Sequence, residues 1–370
     1  MTPDHDAPVP LALVHDYLTQ EGGAERVVLA LAAAHPDAPI HTSLYDPAGT
    51  FPAFAGHDVR TLPLDRLGVL RHHHRLALPL LAPAFDRMVV DAEVAVCSSS
   101  GWAHGARVTG RKVVYCHTPA RWLYLPDKYL DGSSRLAGAG LAALAPALRR
   151  WDRRAAATAD RYLVNSRAVR DRVAAVYGIE AEVVPPPVEI DVTGPRRPPA
   201  DLEPGFLLCV SRLLPYKNVD VVVEALRRLP DLRLVVVGTG PEADRLAAGA
   251  PANVTFLGRV ADDGLRWLYA ASAGLVTASW EDFGLTPVEA AAFGRPTAAL
   301  RWGGFLDTIE EGRTGILFDR PDVAGVAAAV ESLVGTGWSE RELVDHAARY
   351  APARFVAEID RVVDEERRRG

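Results

Sequence analysis

Trp280-Glu281-Asp282-Phe283-Gly284-Leu285-Thr286-Pro287-Val288-Glu289 sets two carboxylates eight residues apart, on either side of a glycine turn. The residues just before it, Leu275-Val276-Thr277-Ala278, are apolar and partly β-branched, as at the end of a buried strand. After the turn, Thr286 suits a helix N-cap, Pro287 the first helical turn and Gly294-Arg295-Pro296 a stop. Strand, turn and helix form the repeating unit of a parallel α/β sheet, which binds ligands at the carboxyl ends of its strands. Unpaired amides at a helix start favour an anion, and a glycine lets a ligand approach the backbone. Glu289 can be read without a ligand, as the partner of Thr286 in a capping box. Glu281 lies in the turn, outside any such cap.

The same rhythm extends in both directions. Strand-like runs fall near 10–15, 38–44, 93–98, 112–116, 161–165 and 181–185, with helical periods near 23–35, 65–88, 119–129, 136–159 and 166–177. A second series of strands falls near 206–210, 232–237, 253–257, 274–278, 297–300 and 315–318, again separated by helices. This predicts two doubly wound α/β domains, over 1–187 and 205–351, facing each other across a cleft. Between them, residues 188–204 follow Pro185-Pro186-Pro187 and contain Pro195, Pro198 and Pro199, which suits an extended linker. Residues 352–370 read as a final helix with a basic end.

Three further segments end strands with reactive or cationic side chains. Ser211-Arg212-Leu213-Leu214-Pro215-Tyr216-Lys217-Asn218 follows an apolar strand and precedes a helix whose apolar positions are Val219, Val222, Val223 and Leu226. Arg212 and Lys217 are therefore placed where a diphosphate could be neutralised without a metal, although a solvated surface pair is the ordinary alternative. Only three lysines (112, 128 and 217) occur among 41 basic residues. Val14-His15-Asp16-Tyr17 leads to Glu21-Gly22-Gly23-Ala24-Glu25-Arg26, a glycine pair that is either a phosphate-approaching helix start or a plain tight turn. Lys112-Val113-Val114-Tyr115-Cys116-His117-Thr118-Pro119 delivers His117 at a strand end before a proline turn.

Taken together, Glu281-x7-Glu289, Arg212 with Lys217, Gly22-Gly23, Arg301-Trp302-Gly303-Gly304 and Thr314-Gly315-Ile316-Leu317-Phe318 resemble retaining, nucleotide-sugar-dependent glycosyltransferases of family 4, which have the GT-B fold. The run Cys116-His117-Thr118-Pro119-Ala120-Arg121-Trp122 resembles a subgroup that includes bacterial mannosyltransferases. The resemblance implies that Arg212 and Lys217 bind the donor phosphates, assisted by the amides of Phe283, Gly284 and Leu285. It further implies that Glu281 bonds the sugar hydroxyls, Glu289 the ribose, that His117 touches the transferred sugar, and that Gly22 and Gly23 close over the donor. The final helix would cross back to the first domain. The implied reaction is transfer of a hexose, mannose from GDP-mannose, to a glycan or lipid-linked acceptor. The nucleotide sugar is a co-substrate, and no other cofactor is expected. No Asp-x-Asp motif ends a strand, so metal independence is expected. A UDP-sugar donor, a sugar-nucleotide epimerase of the same fold and a catalytically silent binding subunit are the alternatives.

Composition is compatible with this. The chain has 370 residues, enough for two cores, and a formal net charge of −6, which argues against a general nucleic-acid binder. Its three cysteines, Cys97, Cys116 and Cys209, give neither a disulfide framework nor a zinc spacing, which suits a reducing cytoplasm. The amino terminus lacks the features of a signal peptide, and no apolar run approaches the roughly 20 residues of a membrane span. Arg71-His72-His73-His74-Arg75, followed by 76–81, and Arg149-Arg150-Trp151-Asp152-Arg153-Arg154 place basic beside apolar residues. They suit either an anionic membrane surface or solvated helix faces. The three consecutive histidines point apart on a helix and are not expected to bind metal.

Overall fold

The computed structural model describes residues 8–72, 78–125 and 135–370. The chain divides into two compact units, Met1–Pro187 with Pro352–Gly370, and Val188–Ala351. The first contains strands β1 (Val9–His15), β2 (Ile40–Thr42), β3 (Val59–Thr61), β4 (Val89–Val90), β5 (Ala92–Ser99), β6 (Arg107–Val108), β7 (Arg111–Cys116), β8 (Arg161–Val164) and β9 (Glu182–Val183). The second contains β10 (Leu207–Val210), β11 (Leu234–Val237), β12 (Val254–Gly258), β13 (Gly274–Thr277), β14 (Thr297–Leu300) and β15 (Gly315–Phe318).

Each unit is built on one parallel sheet, in the order β3-β2-β1-β5-β7-β8-β9 and β12-β11-β10-β13-β14-β15. A parallel sheet covered on both faces needs strands that are apolar on both sides. In β1, Ala12 and Val14 enter a cluster with Trp102 and Trp151, while Leu11 and Leu13 enter another with Leu31 and Ile359. In the second unit, Leu207 and Cys209 pack with Val222 and Leu226, whereas Phe206 and Leu208 pack with Tyr269 and Phe293. The helical face expected from Val219, Val222, Val223 and Leu226 is buried as a whole.

The strand orders create one switch point per sheet. The first sheet grows outward from β1 through β2 and β3, then restarts on the other side at β5. The second grows from β10 through β11 and β12, then restarts at β13. Loops leaving the carboxyl ends of the two central strands diverge there and leave a crevice.

Three stretches differ from the sequence expectation. The helix expected over 65–88 is instead a 3-10 turn Pro63–Arg66 and two helices, Gly68–His72 and Leu78–Phe85; 73–77 lie outside the described residues. Leu67 has an extended backbone, which separates the 3-10 turn from the helix that follows, and Leu67 and Val69 are exposed. Only Arg121–Tyr124 of the expected helix 119–129 is seen as helix, and 126–134 are outside the described residues. Residues 188–204 belong to the second unit, tied by Val188 N to Tyr350 O (2.9 Å) and by Arg266 Nε to Pro195 O (2.9 Å).

The last helix, Pro352–Arg367, belongs to the first unit, where Phe355, Ile359, Val362 and Val363 join the cluster around Leu13, Val94 and Tyr115. At its end the fully buried Glu366 accepts from Arg111 Nη2 at 2.7 Å. Glu366→Ala leaves this guanidinium with Asp160 as its remaining carboxylate. The variant should lose about 1–3 kcal/mol of stability in urea unfolding, and an unchanged midpoint would show that the Arg111–Glu366 pair does not help to hold the final helix.

Candidate functional site

In the second unit the site forms from the loops after the two central strands. β10 leads to Ser211 and Arg212, then to the 3-10 turn Pro215–Lys217. Asn218 takes a left-handed conformation (φ 50°) to start the helix Val219–Leu226. Its side-chain amide donates to Ala278 O at 2.8 Å, and Trp280 N donates to Tyr216 O at 3.3 Å. These bonds stitch the β10 loop to the β13 loop and bring Lys217 and Glu281 together as an ion pair.

Lys217 is 8% exposed and Glu281 about a quarter exposed. The ammonium also lies 5.1 Å from the centre of the Tyr216 ring, whose hydroxyl is 3.4 Å from Nη2 of the exposed Arg212. Both cations and the first carboxylate of the motif are thus one cluster at the switch point. Burial pushes the nearby Cys209 thiol up to about 12, so it is no nucleophile at neutral pH.

The second carboxylate is held otherwise than expected. The helix starts at Leu285, with Gly284 in a left-handed conformation (φ 86°) at the cap position. Thr286 is therefore inside the helix, and the Thr286–Glu289 capping box does not form. A Cβ at 284 would stand 2.6 Å from the Phe305 ring, so glycine is required for both torsion and space. Glu289 instead accepts from Tyr269 OH at 2.6 Å, and the buried Tyr269 stacks on Phe293 with ring centres 5.6 Å apart. Among the described residues, the amides of Phe283, Gly284 and Leu285 have no hydrogen-bond acceptor. They offer three donors at the helix start.

Gly303 and Gly304 brace this turn from behind. Gly304 N donates to Glu281 O at 3.0 Å. A Cβ at 303 would fall 2.0 Å from that carbonyl, and one at 304 would fall 2.2 Å from Phe283 Cα. The second glycine pair therefore serves backbone packing that fixes Glu281.

In the first unit the corresponding edge is a buried polar chain. Asp16, after β1, accepts from the amides of Ser100 (2.7 Å), Trp102 (3.1 Å) and Ala103 (2.6 Å) in the loop after β5. Its carboxyl is nevertheless pushed above the usual range by burial. His15 Nε2 lies 3.7 Å from the buried Glu25, and its Nδ1 lies 3.1 Å from both Ser98 O and Ser98 Oγ. Ser98 Oγ lies 2.8 Å from His117 Nε2. Burial alone would lower the His15 pKa, but Glu25 and Asp16 outweigh it and raise it. Burial, with His15 and Arg121 adding to it, lowers His117 to about 3.

The direction of these bonds follows from what each atom can do. Ser98 O only accepts, so His15 Nδ1 carries a proton, and Ser98 Oγ accepts from it too. The Ser98 hydroxyl then donates to His117 Nε2, which leaves the proton of neutral His117 on Nδ1. Gly22 has a local reason as well: its φ is an ordinary −124°, but a Cβ would lie 2.4 Å from Glu25 Oε2. Gly23 is the first residue of the helix Gly23–Ala34. His15, Asp16, Glu25, Ser98, Tyr216 and Tyr269 had no role in the sequence reading. His15 and Asp16 were marked by their place at the end of an apolar strand; the others carry no local signal.

One other grouping does not make a site. Ser99 Oγ, His104 Nδ1, His104 Nε2 and Asp152 Oδ1 line up at 2.9 and 3.1 Å in the manner of a nucleophile triad. Each residue is only 1% exposed, so no substrate reaches the serine. Among the described residues, no group of three or more His, Cys, Asp or Glu is arranged to hold a metal ion, and no helix is long and apolar enough to cross a membrane. The proposed membrane-facing stretch 71–81 lies partly outside the described residues. In the other, Arg149 donates to Leu123 O at 2.9 Å and Arg154 to Asp86 at 3.0 Å.

The neutral His117 is directly observable. The nitrogen-15 imidazole shifts should report a proton on Nδ1 and no titration between about pH 5 and 8, and Ser98→Ala should release the tautomer while burial keeps the pKa low. Because the folded pKa is lowered, the unfolded chain binds the extra proton first, so this group's contribution to stability is lost as pH falls from the unfolded value near 6.5 towards 3. A proton resident on Nε2 would break the assigned chain of bonds.

Comparison with known proteins bears on the family and the fold. Residues 21–192 match the family model described as Glycosyltransferase Family 4, and residues 195–354 match the one described as Glycosyl transferases group 1. D-inositol 3-phosphate glycosyltransferase of Mycobacterium sp. (strain KMS) is 32% identical over 217 residues, covering 52% of this chain and 49% of that one. The protein of the same name from Acidothermus cellulolyticus is 33% identical over 227 residues, covering 52% and 50%. The chain thus aligns with about half the length of the curated relatives it matches. Among solved structures, Anabaena HepE in complex with UDP-glucose superposes with a TM-score of 0.68 at 19% identity, covering 96% of this chain and 99% of that one. Sucrose-phosphate synthase from Thermosynechococcus elongatus gives 0.68 at 18%, covering 96% and 98%. Two family domains in tandem, on two Rossmann-like parallel sheets of the kind those structures share, place the chain among the GT-B glycosyltransferases of family 4.

Proposed function

We propose that the chain is a retaining, metal-independent hexosyltransferase that takes mannose from GDP-mannose and passes it to a glycan or lipid-linked acceptor. The observation that carries the donor half of this reading is the Lys217–Glu281 pair, with Arg212 beside it and three open amides at the start of the next helix. A diphosphate in that crevice is a better partner for a buried ammonium than a partly exposed carboxylate. Lys217 and Arg212 then offset the charge that develops on the leaving diphosphate, and the amides of Phe283, Gly284 and Leu285 add fixed dipoles. Glu281, released from Lys217, accepts from the sugar hydroxyls. Glu289, held by Tyr269, accepts from the ribose. These two roles come from the family resemblance.

In the first unit, neutral His117 offers Nδ1–H to an oxygen of the sugar, and Gly22 and Gly23 approach the donor. The mannose assignment rests on the resemblance of the Cys116–Trp122 run. The inositol phosphate relatives suggest a phosphorylated polyol as one acceptor class to include. UDP-glucose is the second donor to try, because the similarly folded HepE holds it.

A thermal-shift series of GDP-mannose, UDP-glucose and ADP-glucose, each with and without magnesium, separates these readings. A donor present at about 100 times its Kd adds about 2.7 kcal/mol of stability, a shift of several degrees. We expect it for GDP-mannose without magnesium. Free nucleotide produced without acceptor would indicate the epimerase, and a shift without any turnover would indicate the silent subunit. A flat series removes the donor site.

Lys217→Ala and Glu281→Gln should each lower kcat by about a hundredfold or more, with unchanged circular dichroism. Wild-type turnover in either variant would remove that residue from the reaction.

A further inference from the structure

At the opposite, amino edge of the first unit's sheet lies a cavity of about 540 Å³. Its charged lining is Asp86, Arg107, Lys112, Arg154 and Asp160. The volume falls in the range of small-molecule sites. β7 runs from this edge to His117, so the cavity is separate from the residues assigned to sugar transfer.

The two carboxylates of the lining are already committed. Asp86 accepts from Trp151 Nε1 at 2.9 Å and from Arg154 at 3.0 Å. Asp160 accepts from Lys112 N at 2.7 Å and pairs with Arg111 at 2.8 Å. The cations are not balanced in the same way. Lys112 is 5% exposed, and its ammonium donates to His104 O (3.1 Å) and Thr158 Oγ1 (2.6 Å), both neutral oxygens. No carboxylate lies within ion-pair distance of Lys112 or of the exposed Arg107 among the described residues. Tying His104 to Thr158 uses two of the three ammonium hydrogens and leaves one. Burial lowers the Lys112 pKa, and the attraction of Asp160, which is beyond ion-pair distance, does not offset it.

We propose that this pocket binds a phosphate group, with Lys112 as the buried anchor and Arg107 as the outer clamp. The two cations left without a carboxylate match a dianionic oxyanion in charge. The remaining volume admits the body of a phosphorylated small molecule. The same chemistry would accept a lipid phosphate headgroup.

Titration calorimetry of the full chain with inorganic phosphate tests this, performed on Lys217→Ala to weaken the donor crevice, with the other variants compared in that same background. Binding should persist in that background and weaken about tenfold in Arg107→Ala, a surface change that leaves the core intact. Lys112→Met should abolish it. Sedimentation with phosphatidylglycerol vesicles, competed by phosphate and lost in Arg107→Ala, would identify a lipid as the source. Phosphate binding without vesicle binding would identify a soluble phosphate ester. No phosphate heat in the Lys217→Ala chain, or equal heat in Arg107→Ala, overturns the site whatever becomes of the transferase reading.

Discussion

An ammonium that is nine-tenths buried is costly without an anion, and the second unit is arranged to supply one at Lys217. Left alone in a low-dielectric crevice, the charge would cost several kcal/mol. Glu281 meets it, but only because the β10 and β13 loops are tied by Asn218 to Ala278 and by Trp280 to Tyr216. Asn218 accepts a left-handed backbone to make its bond, a strain that asparagine tolerates better than most residues. On the far side Gly303 and Gly304 press against the backbone of residues 281 to 283. The pair is thus fixed by main chain on both flanks, and its carboxylate remains partly open to solvent. An arrangement so constrained, yet with an exchangeable partner, suits a ligand that replaces the carboxylate.

The first unit solves a different problem at its own switch point. There the anions belong to the protein. Asp16 takes the amides of the β5 loop, and Glu25 sits in the first turn of the helix Gly23–Ala34, where it offsets the helix dipole. Anion sites already occupied by carboxylates have little to offer a diphosphate. What this edge presents instead is neutral: an imidazole kept uncharged by its surroundings, with one hydrogen to donate. The chemistry of the two edges therefore differs, one suited to charge and the other to hydroxyl groups.

Much of this was legible in the sequence because it depends on strand ends. An apolar run followed by a polar turn places Arg212, Lys217, Glu281 and His117 at sheet edges without knowledge of the fold. What the sequence does not carry is pairing across distance. That Glu289 belongs to Tyr269, and Lys217 to Glu281, depends on which strands are neighbours. The cap at Thr286 was misread for a related reason. Local preference favours threonine, but the Phe305 ring fills the space beside residue 284 and moves the helix start to the glycine. The glycine pairs also mislead when read locally, since Gly22 makes room for Glu25 and Gly303 and Gly304 for a neighbouring turn, whether or not a ligand approaches.

The scarcity of lysine sharpens the contrast between the two cavities. In a chain whose 41 basic residues include only three lysines, Lys112 and Lys217 are both buried. A guanidinium is planar, broad and carries five donors, and burying it demands a correspondingly broad set of acceptors. An ammonium is compact and can be satisfied by two or three oxygens from any direction. Lysine therefore suits a narrow recess in which one donor must be left for something else. Lys217 has an internal carboxylate as its partner, whereas Lys112 has only a carbonyl and a hydroxyl. The first is complete in itself and exchangeable; the second has no carboxylate within ion-pair distance among the described residues, and that is the difference on which the proposed phosphate site rests.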